Sequence, residues 1–169
     1  MSSEAITILS LVLIALLGFG VYAESLQGEF LLDDYVLVKD NVRIKSWFNL
    51  PRLFTEQIAA GGGRKWHAYR PLQMITYMTD YSLWRLNPRG YHFTNILLHL
   101  AAALSIFWLV NLLFGDRLTS LFTTLLFVAH PVHTGAVSYI SGRADSLAAA
   151  AMVLCLVFYL KNLSSPGPR

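Results

Sequence analysis

The stretch LFVAHPVHTGAVSYISGRADS, residues 126 to 146, decides how the chain folds, because it places ionisable and helix-breaking residues between two apolar runs. The apolar run before it, residues 118 to 129, is too short to cross about 30 Å of hydrocarbon alone. The span therefore has to continue through Pro131, which removes a backbone donor and bends a helix. A membrane tolerates such a break only where protein or a watery cavity satisfies the freed carbonyl groups. The stretch predicts a broken membrane helix whose end faces a polar cavity.

Composition supports a membrane protein. The chain has 169 residues, of which 55% are hydrophobic and only 14% charged, and its mean hydropathy is +0.50. Soluble domains carry more charge and fewer apolar residues. The net charge of +3 fits Lys and Arg at lipid interfaces, so we expect membrane lipid as a partner and no nucleic acid. Cys155 is the single cysteine, which excludes an intrachain disulfide and predicts a buried, inert thiol.

Four apolar stretches predict four transmembrane helices, at residues 5–23, 91–114, 117–140 and 144–162. The first stretch also allows a cleaved signal peptide. The leading MSSE lacks the positive residues of such a peptide, and the run is long for one, so we favour an uncleaved helix.

Short positively charged flanks predict the orientation. Arg117, Lys161 and Arg169 would be cytoplasmic, whereas only Arg143 lies in the short loop on the other side. Both termini are then cytoplasmic, and the long segment 24–90 is an extracytoplasmic loop. In either orientation, this loop and the stretch from His130 to Asp145 share one side of the membrane.

The long segment is expected to lie along the bilayer. In NVRIKSWFNLPRLF, residues 41–54, basic residues alternate with large apolar ones, which is typical of an interfacial helix. The glycines at 61–63 predict a flexible loop, and a second interfacial helix begins at Pro71 and stops before residues 87–90, NPRG. The predicted fold is an all-α membrane protein with four transmembrane helices and a long extracytoplasmic loop carrying interfacial helices.

Two groups in the long segment are candidates for chemistry. Asp33 and Asp34 are adjacent and flanked by apolar residues. Paired carboxylates near a low dielectric raise one another's pKa, and one can then act as a general base; an ordinary solvated turn is the alternative. Arg70 precedes a helix start, where a guanidinium and free N–H groups can hold a phosphate. It can equally extend towards lipid headgroups.

The stretch quoted first supplies four more candidates. His130 and His133 are spaced as two metal ligands would be, but they are only two and Pro131 lies between them, so no metal is predicted. Arg143 and Asp145 either pair with each other and cap the last helix or contribute to a site. Ionisable groups collected at one membrane face favour a functional site.

Three motifs together resemble a known family. FLLDDYVLVKDN (30–41), YRPLQMITYMTDYSLWRLNPRGYHFTNILLHL (69–100) and HPVHTGAVSYISGRADSLAA (130–149) look like the N-terminal part of the transmembrane and tetratricopeptide-repeat-containing O-mannosyltransferases and their bacterial relatives. These are C-type glycosyltransferases, which take their sugar from a polyprenyl phosphate on the extracytoplasmic side. The resemblance covers nearly the whole chain from about Phe30 to Tyr159.

The resemblance implies an inverting transfer from a polyprenyl-phosphate sugar to a protein hydroxyl, with no cofactor or metal. Asp33 would remove the acceptor proton and Asp34 would position the acceptor. Arg70 or Arg143 would neutralise the departing phosphate, while His130, His133 and Asp145 would belong to the substrate site. The membrane would be a bacterial inner membrane, or that of the endoplasmic reticulum in a eukaryote.

The sequence also departs from the family pattern. Gly135 stands where family members usually have glutamate in HPVHTEAV, and the tetratricopeptide repeats are absent from residues 1–169. We therefore expect an N-terminal transmembrane module of such an enzyme, which acts with further membrane segments or a further subunit. A non-catalytic membrane scaffold or partner subunit is the alternative, and a small transporter or metal-handling protein is a third hypothesis.

Overall fold

A computed structural model describes residues 3–164, so Arg169 of the orientation argument lies outside the described residues. In the described part of the chain the regular structure is entirely helical, without strands. Seven α-helices follow one another: α1 Ser3–Tyr22, α2 Leu50–Leu53, α3 Pro71–Trp84, α4 Pro88–Phe114, α5 Arg117–Ala129, α6 Thr134–Ser138 and α7 Arg143–Ser164.

Single helical turns complete the path. One of them, Tyr35–Lys39, is a π turn. The others are 3-10 turns at Ala23–Gln27, Arg43–Lys45, Trp47–Asn49, Ala60–Gly62, Pro131–His133 and Ile140–Gly142.

Three helical stretches are long and apolar enough to cross a membrane: Glu4–Gln27, Pro88–Phe114 and Ile140–Leu163. The pair formed by Arg117–Ala129 and Pro131–Ser138 makes a fourth crossing if it is one span, and it bends by 49° at its break. The break expected at Pro131 is therefore confirmed. The count of four spans stays a prediction.

The spans form a bundle with α4 in contact with α1, α5 and α7. The core between α1, α4 and α5 includes Ile14, Ile96 and Val128, each fully buried. Gly18 brings α1 close to α4, because a Cβ at this position would lie 2.5 Å from a methyl carbon of Leu100. Most large side chains of α1 outside this contact are exposed, as expected of a helix that faces lipid.

The long segment forms a second core against α3 and the start of α4. Its members are apolar residues from the π turn, the following turns, α3 and α4, among them Val38, Ile44, Met78 and Tyr91. The second predicted helix of this segment is confirmed as α3, and its position along the bilayer stays a prediction. The predicted first one is wrong as a continuous helix: Ser46 is extended and caps the next turn through its side chain, so residues 43–53 form separate short turns.

The glycine loop, predicted to be flexible, packs closely against the π turn and the residues that follow it. The backbone oxygen of Gly61 accepts a hydrogen bond from Val42 N–H at 3.0 Å. A Cβ at Gly61 would lie 1.8 Å from Asn41, and one at Gly62 would lie 2.2 Å from the backbone oxygen of Val36. The absence of side chains at these glycines therefore permits close packing of the loop onto the π turn.

Candidate active site

The two aspartates lie against the turn that leads into α7. Asp34 is 1% exposed, and one carboxylate oxygen accepts hydrogen bonds from the backbone N–H of Ser141 at 2.9 Å and from the Ser141 hydroxyl. Its other oxygen accepts from the backbone N–H of Leu31 at 3.0 Å. Both oxygens of Asp34 are thus committed to holding the turn, so direct contact with an acceptor, as expected from sequence, is not favoured by this geometry.

Asp33 has the opposite environment. Its side chain is exposed, while its backbone N–H donates to the hydroxyl of Tyr139 at 3.0 Å. The preceding residue, Leu32, has a φ of 43°, which is rare for a residue with a side chain. The backbone around the pair is therefore held in an unusual turn that buries one carboxylate and exposes the next.

Burial controls the ionisation of Asp34. Removal from water raises the pKa of this carboxyl above its ordinary value, while the hydrogen bonds from Ser141 and Leu31 act in the opposite direction. Desolvation disfavours the charged form, and hydrogen bonds to the charged form favour it. Burial is the larger effect here.

Arg143 is fully buried and lies between α3 and α4. Its Nη1 lies 2.6 Å from an oxygen of Asp80 and donates to the Thr76 hydroxyl at 3.0 Å. Its Nη2 donates to the backbone oxygen of Tyr91 at 3.1 Å, and the guanidinium lies 4.4 Å from the centre of the Tyr77 ring. The prediction that Arg143 binds substrate is not favoured by this arrangement, because its charge is already paired away from the surface.

The alternative pairing of Arg143 with Asp145 is wrong. Arg143 forms its ion pair with Asp80, whereas Asp145 is exposed in the first turn of α7. A carboxylate there still interacts favourably with the helix dipole.

Amide and phenol groups fix the turn that carries Tyr139 and Ser141. Gln73 donates to the backbone oxygen of Ser141 at 3.0 Å, and the Tyr77 hydroxyl donates to that of Ile140 at 3.2 Å. Asn95 donates to the backbone oxygens of Val137 and Tyr139 at 3.1 and 2.9 Å. These bonds satisfy the carbonyl groups that the broken helix leaves free.

The two histidines lie at the same end of the bundle but in a separate cluster. Nδ1 of His130 accepts from the backbone N–H of Val132 at 3.2 Å, so this ring caps the turn after α5. The ring of His133 lies 4.4 Å from that of Phe127 and 5.4 Å from that of His99. In the described residues no hydrogen bond joins either histidine to Asp33 or Asp34. Residues 3–164 also contain no group of three or more His, Cys, Asp or Glu side chains that could hold a metal ion.

Arg70 makes no side-chain hydrogen bond to the acidic turn or to the two histidines among the described residues. It is exposed at the residue before α3 and lines a small recess together with Arg43, Arg52 and Glu56. Arg43 pairs with Glu56 at 2.8 Å. Arg70 and Arg52 therefore add positive charge to a recess in which one carboxylate is already paired.

Asp80 and the residues that support the turn at Tyr139 and Ser141 were not predicted from the sequence. Gln73, Tyr77 and Asp80 are spaced by four and three residues on α3, so they share one helix face with Thr76 nearby. A polar stripe of this kind on an otherwise apolar helix was a usable signal. Its partner, Arg143, lies on a distant helix and is not identifiable from local spacing.

The fold and the site define an α-helical membrane protein with an acidic turn docked onto the start of a membrane span. Similarity to known proteins narrows this class. The chain is 31% identical over 156 residues to protein O-mannosyl-transferase TMTC2 of Homo sapiens, covering 89% of this chain and 18% of that protein. It is 34% identical over 147 residues to protein O-mannosyl-transferase TMTC1 of Homo sapiens, covering 84% of this chain and 17% of that protein. It is 34% identical over 150 residues to protein O-mannosyl-transferase TMTC3 of Mus musculus, covering 87% of this chain and 16% of that protein.

The chain is therefore related to a part of the protein O-mannosyl-transferases, and the resemblance found in its motifs is confirmed. It spans less than a fifth of the length of these three relatives. No protein-family model and no solved structure matches the chain.

Proposed function

We propose that this chain supplies the acidic site of a glycosyltransferase that moves mannose from a polyprenyl phosphate to a protein hydroxyl on the extracytoplasmic side. The observation that carries the proposal is the unequal placement of the aspartates: Asp34 is buried and hydrogen-bonded, whereas Asp33 is exposed beside it. The names of the relatives support the reaction class and a protein acceptor.

In the proposed reaction, Asp33 accepts the proton of the acceptor hydroxyl. The hydroxyl oxygen forms a bond to the anomeric carbon of the sugar while the bond from that carbon to the phosphate oxygen breaks. The electron pair leaves with the polyprenyl phosphate, and the anomeric configuration inverts. A general base contributes by removing the proton as the new bond forms. Asp34 acts as a positioning residue, because its carboxylate ties the turn to Ser141.

Arg70 is the better of the two arginines for the departing phosphate. It is exposed and shares its recess with a second exposed cationic side chain, Arg52, whereas Arg143 is buried against Asp80. Positive charge aimed at a leaving group stabilises the negative charge that develops there. We therefore assign phosphate neutralisation to Arg70 and a positioning role to Arg143.

The histidines are proposed to border the lipid part of the donor. An apolar groove of about 330 Å³ runs along α5, lined by Phe122, Leu125, Leu126 and Ala129, and it ends at His130 and Pro131. An apolar groove with one polar end suits an isoprenoid chain that carries a polar head. His133 and the exposed Asp145 are kept as candidates for the polar end of this substrate site.

The proposed location is the outer face of a bacterial inner membrane, or the luminal face of the endoplasmic reticulum if the source is eukaryotic. Further membrane segments or a further subunit would complete the enzyme around the acidic turn. The exposed apolar faces of the spans can accept such neighbours as well as lipid.

The test is a turnover assay in liposomes that hold this chain together with the further membrane segments that complete the enzyme, with polyprenyl-phosphate mannose and a peptide that contains serine and threonine as substrates. Asp33→Asn should abolish turnover while donor binding stays within about twofold, since the amide keeps the shape but cannot accept the proton. Asp40→Asn, which changes another exposed carboxylate nearby, is the matched control and should keep wild-type turnover. Full turnover in Asp33→Asn would overturn the assignment of the base. An inactive wild type that binds donor would instead favour the scaffold alternative.

A further inference from the structure

A second groove lies where the first membrane span ends and α4 begins. Its volume is about 560 Å³, within the range of roughly 300 to 1,000 Å³ that is typical of small-molecule sites. The lining includes Leu26, Gln27, Trp84, Asn87, Arg89 and Phe93. None of these residues belongs to the acidic turn or to the network around Arg143.

Aromatic rings build one wall of this groove. Trp84 is 39% exposed, and its ring is 6.4 Å from that of Phe93 at an angle of 76°. Phe93 in turn lies 5.9 Å from Phe19 of α1, so the rings link the two spans beneath the groove. Gly90 allows this wall to form, because a Cβ there would lie only 2.1 Å from the Trp84 ring.

The charge that lines the groove is positive. Arg89 is the only ionisable side chain among the described residues that line it, and it is exposed. Gln27 and Asn87 add neutral amide groups. The lining thus offers a cation and amide donors to an anionic, oxygen-rich group, and an aromatic surface to an apolar one.

If the two candidate spans beside it cross a bilayer, the groove lies at the depth of the lipid headgroups. Gln27 is the last residue of one candidate span, and Pro88, next to Arg89, is the first residue of another. Trp side chains concentrate at this boundary between hydrocarbon and water. Basic pockets between membrane helices bind anionic lipid head groups.

We propose that this groove binds the phosphate head group of an anionic phospholipid, with Arg89 on the phosphate, Gln27 and Asn87 on the glycerol oxygens, and the first acyl carbons against Trp84 and Phe93. The site is separate from the proposed transferase site and does not depend on that activity. Occupancy would hold the end of α1 to the start of α4.

The test measures retention of phosphatidylglycerol against phosphatidylcholine by the full chain, by native mass spectrometry after release from nanodiscs of equal composition. Wild type should retain phosphatidylglycerol preferentially. Arg89→Gln should weaken that binding about tenfold or more, as expected for loss of one charge-assisted contact. Arg64→Gln, which removes an exposed arginine elsewhere in the long segment, is the matched control and should behave as wild type.

A second pair of measurements tests the aromatic wall and the identity of the lipid. Trp84→Leu should reduce retention without any change of charge, and a thermal unfolding scan identifies variants that do not fold. Equal losses in Arg89→Gln and Arg64→Gln, or equal retention of the two lipids by wild type, would overturn the site. Complete displacement of phosphatidylglycerol by an equimolar amount of polyprenyl phosphate would also overturn it, because the groove would then belong to the donor.

Discussion

Ser141 donates both its backbone N–H and its hydroxyl to the carboxylate of Asp34, a residue 107 positions earlier in the chain. This contact fixes the long segment to the start of the last membrane helix. It also explains why a membrane chain places polar groups after its broken helix: the stretch satisfies its own backbone and receives the acidic turn. The expected convergence of the long segment and the stretch after Pro131 at one end of the bundle is confirmed.

Loss of the Ser141 hydroxyl should weaken this docking. We expect Ser141→Ala to lower the free energy of unfolding by about 1.5 to 3 kcal/mol, because the bond is made to a buried carboxylate. The measurement is thermal or chemical unfolding in detergent micelles. Ser138→Ala, three positions earlier on a half-buried serine, should have a much smaller effect. Equal effects of the two substitutions would contradict the assigned bond.

Asp80 should be more important to stability than any other acidic residue of the site. Asp80→Asn leaves the guanidinium of Arg143 buried without a counter-charge, and removal of one partner from such a pair costs about 3 to 5 kcal/mol. We expect the variant to unfold at a markedly lower temperature than wild type. Asp145→Asn, on the same helix as Arg143 but exposed, should unfold as wild type does.

A double-mutant cycle separates the ion pair from other effects of the two substitutions. In the background of Arg143→Met, the further change Asp80→Asn should cost far less than it does alone, because the charge that it leaves unpaired is gone. Independent, additive costs would show that the two side chains are not coupled. A larger loss of stability in Asp145→Asn than in Asp80→Asn would instead support an ion pair between Arg143 and Asp145.

The pH dependence of stability should reveal Asp34. Its pKa is raised by burial above the ordinary value of 3.8, so the folded protein holds this proton more tightly than the unfolded chain does. The resulting stabilisation is complete below pH 3.8 and is lost as the pH rises through the folded pKa. As the pH rises above 3.8 and through the folded pKa, we expect the stability of wild type to fall relative to Asp34→Asn, which does not titrate.

The measurement is unfolding of both proteins across this pH range in the same detergent. Asp40→Asn, with its substitution at an exposed carboxylate, serves as the control and should follow wild type. A constant difference between wild type and Asp34→Asn would contradict the raised pKa of Asp34.

The sequence predicted the parts of this fold that depend on local composition. Apolar runs located the spans, and Pro131 located the break, because lipid requires long apolar helices with internally bonded backbones. The adjacent aspartates were found as a pair, but their unequal burial was not, since it depends on contact with Ser141 and Tyr139 far along the chain.

Arg143 shows why local reasoning misassigned a partner. Asp145 is close in sequence, so it was the natural counter-charge, yet α7 directs the guanidinium towards α3, where Asp80 and Thr76 are in place. The helix α3 was predicted correctly from its start at Pro71. A continuous helix was wrongly predicted within residues 41–54, where an extended Ser46 interrupts it.

The long segment and the end of α7 should lie on opposite sides of the membrane. α7 begins beside the acidic turn and has 22 residues, about 33 Å at 1.5 Å per residue, which is enough to reach the opposite face. Near its other end, Lys161 lies 5.0 Å from the ring of Trp108 on α4, so these two helices run in parallel from one face to the other. Cys155 is exposed, so the prediction of a buried thiol is wrong, and the residue has to be replaced by alanine in this test. Single cysteines at Lys65 and Asn162 should then react from opposite sides. We expect a membrane-impermeant maleimide to label Lys65→Cys in intact cells and to label Asn162→Cys only after permeabilisation, because the positive flanks predict that the long segment is outside. The reverse pattern would contradict this orientation, and labelling of both sites in intact cells would contradict the crossing by α7.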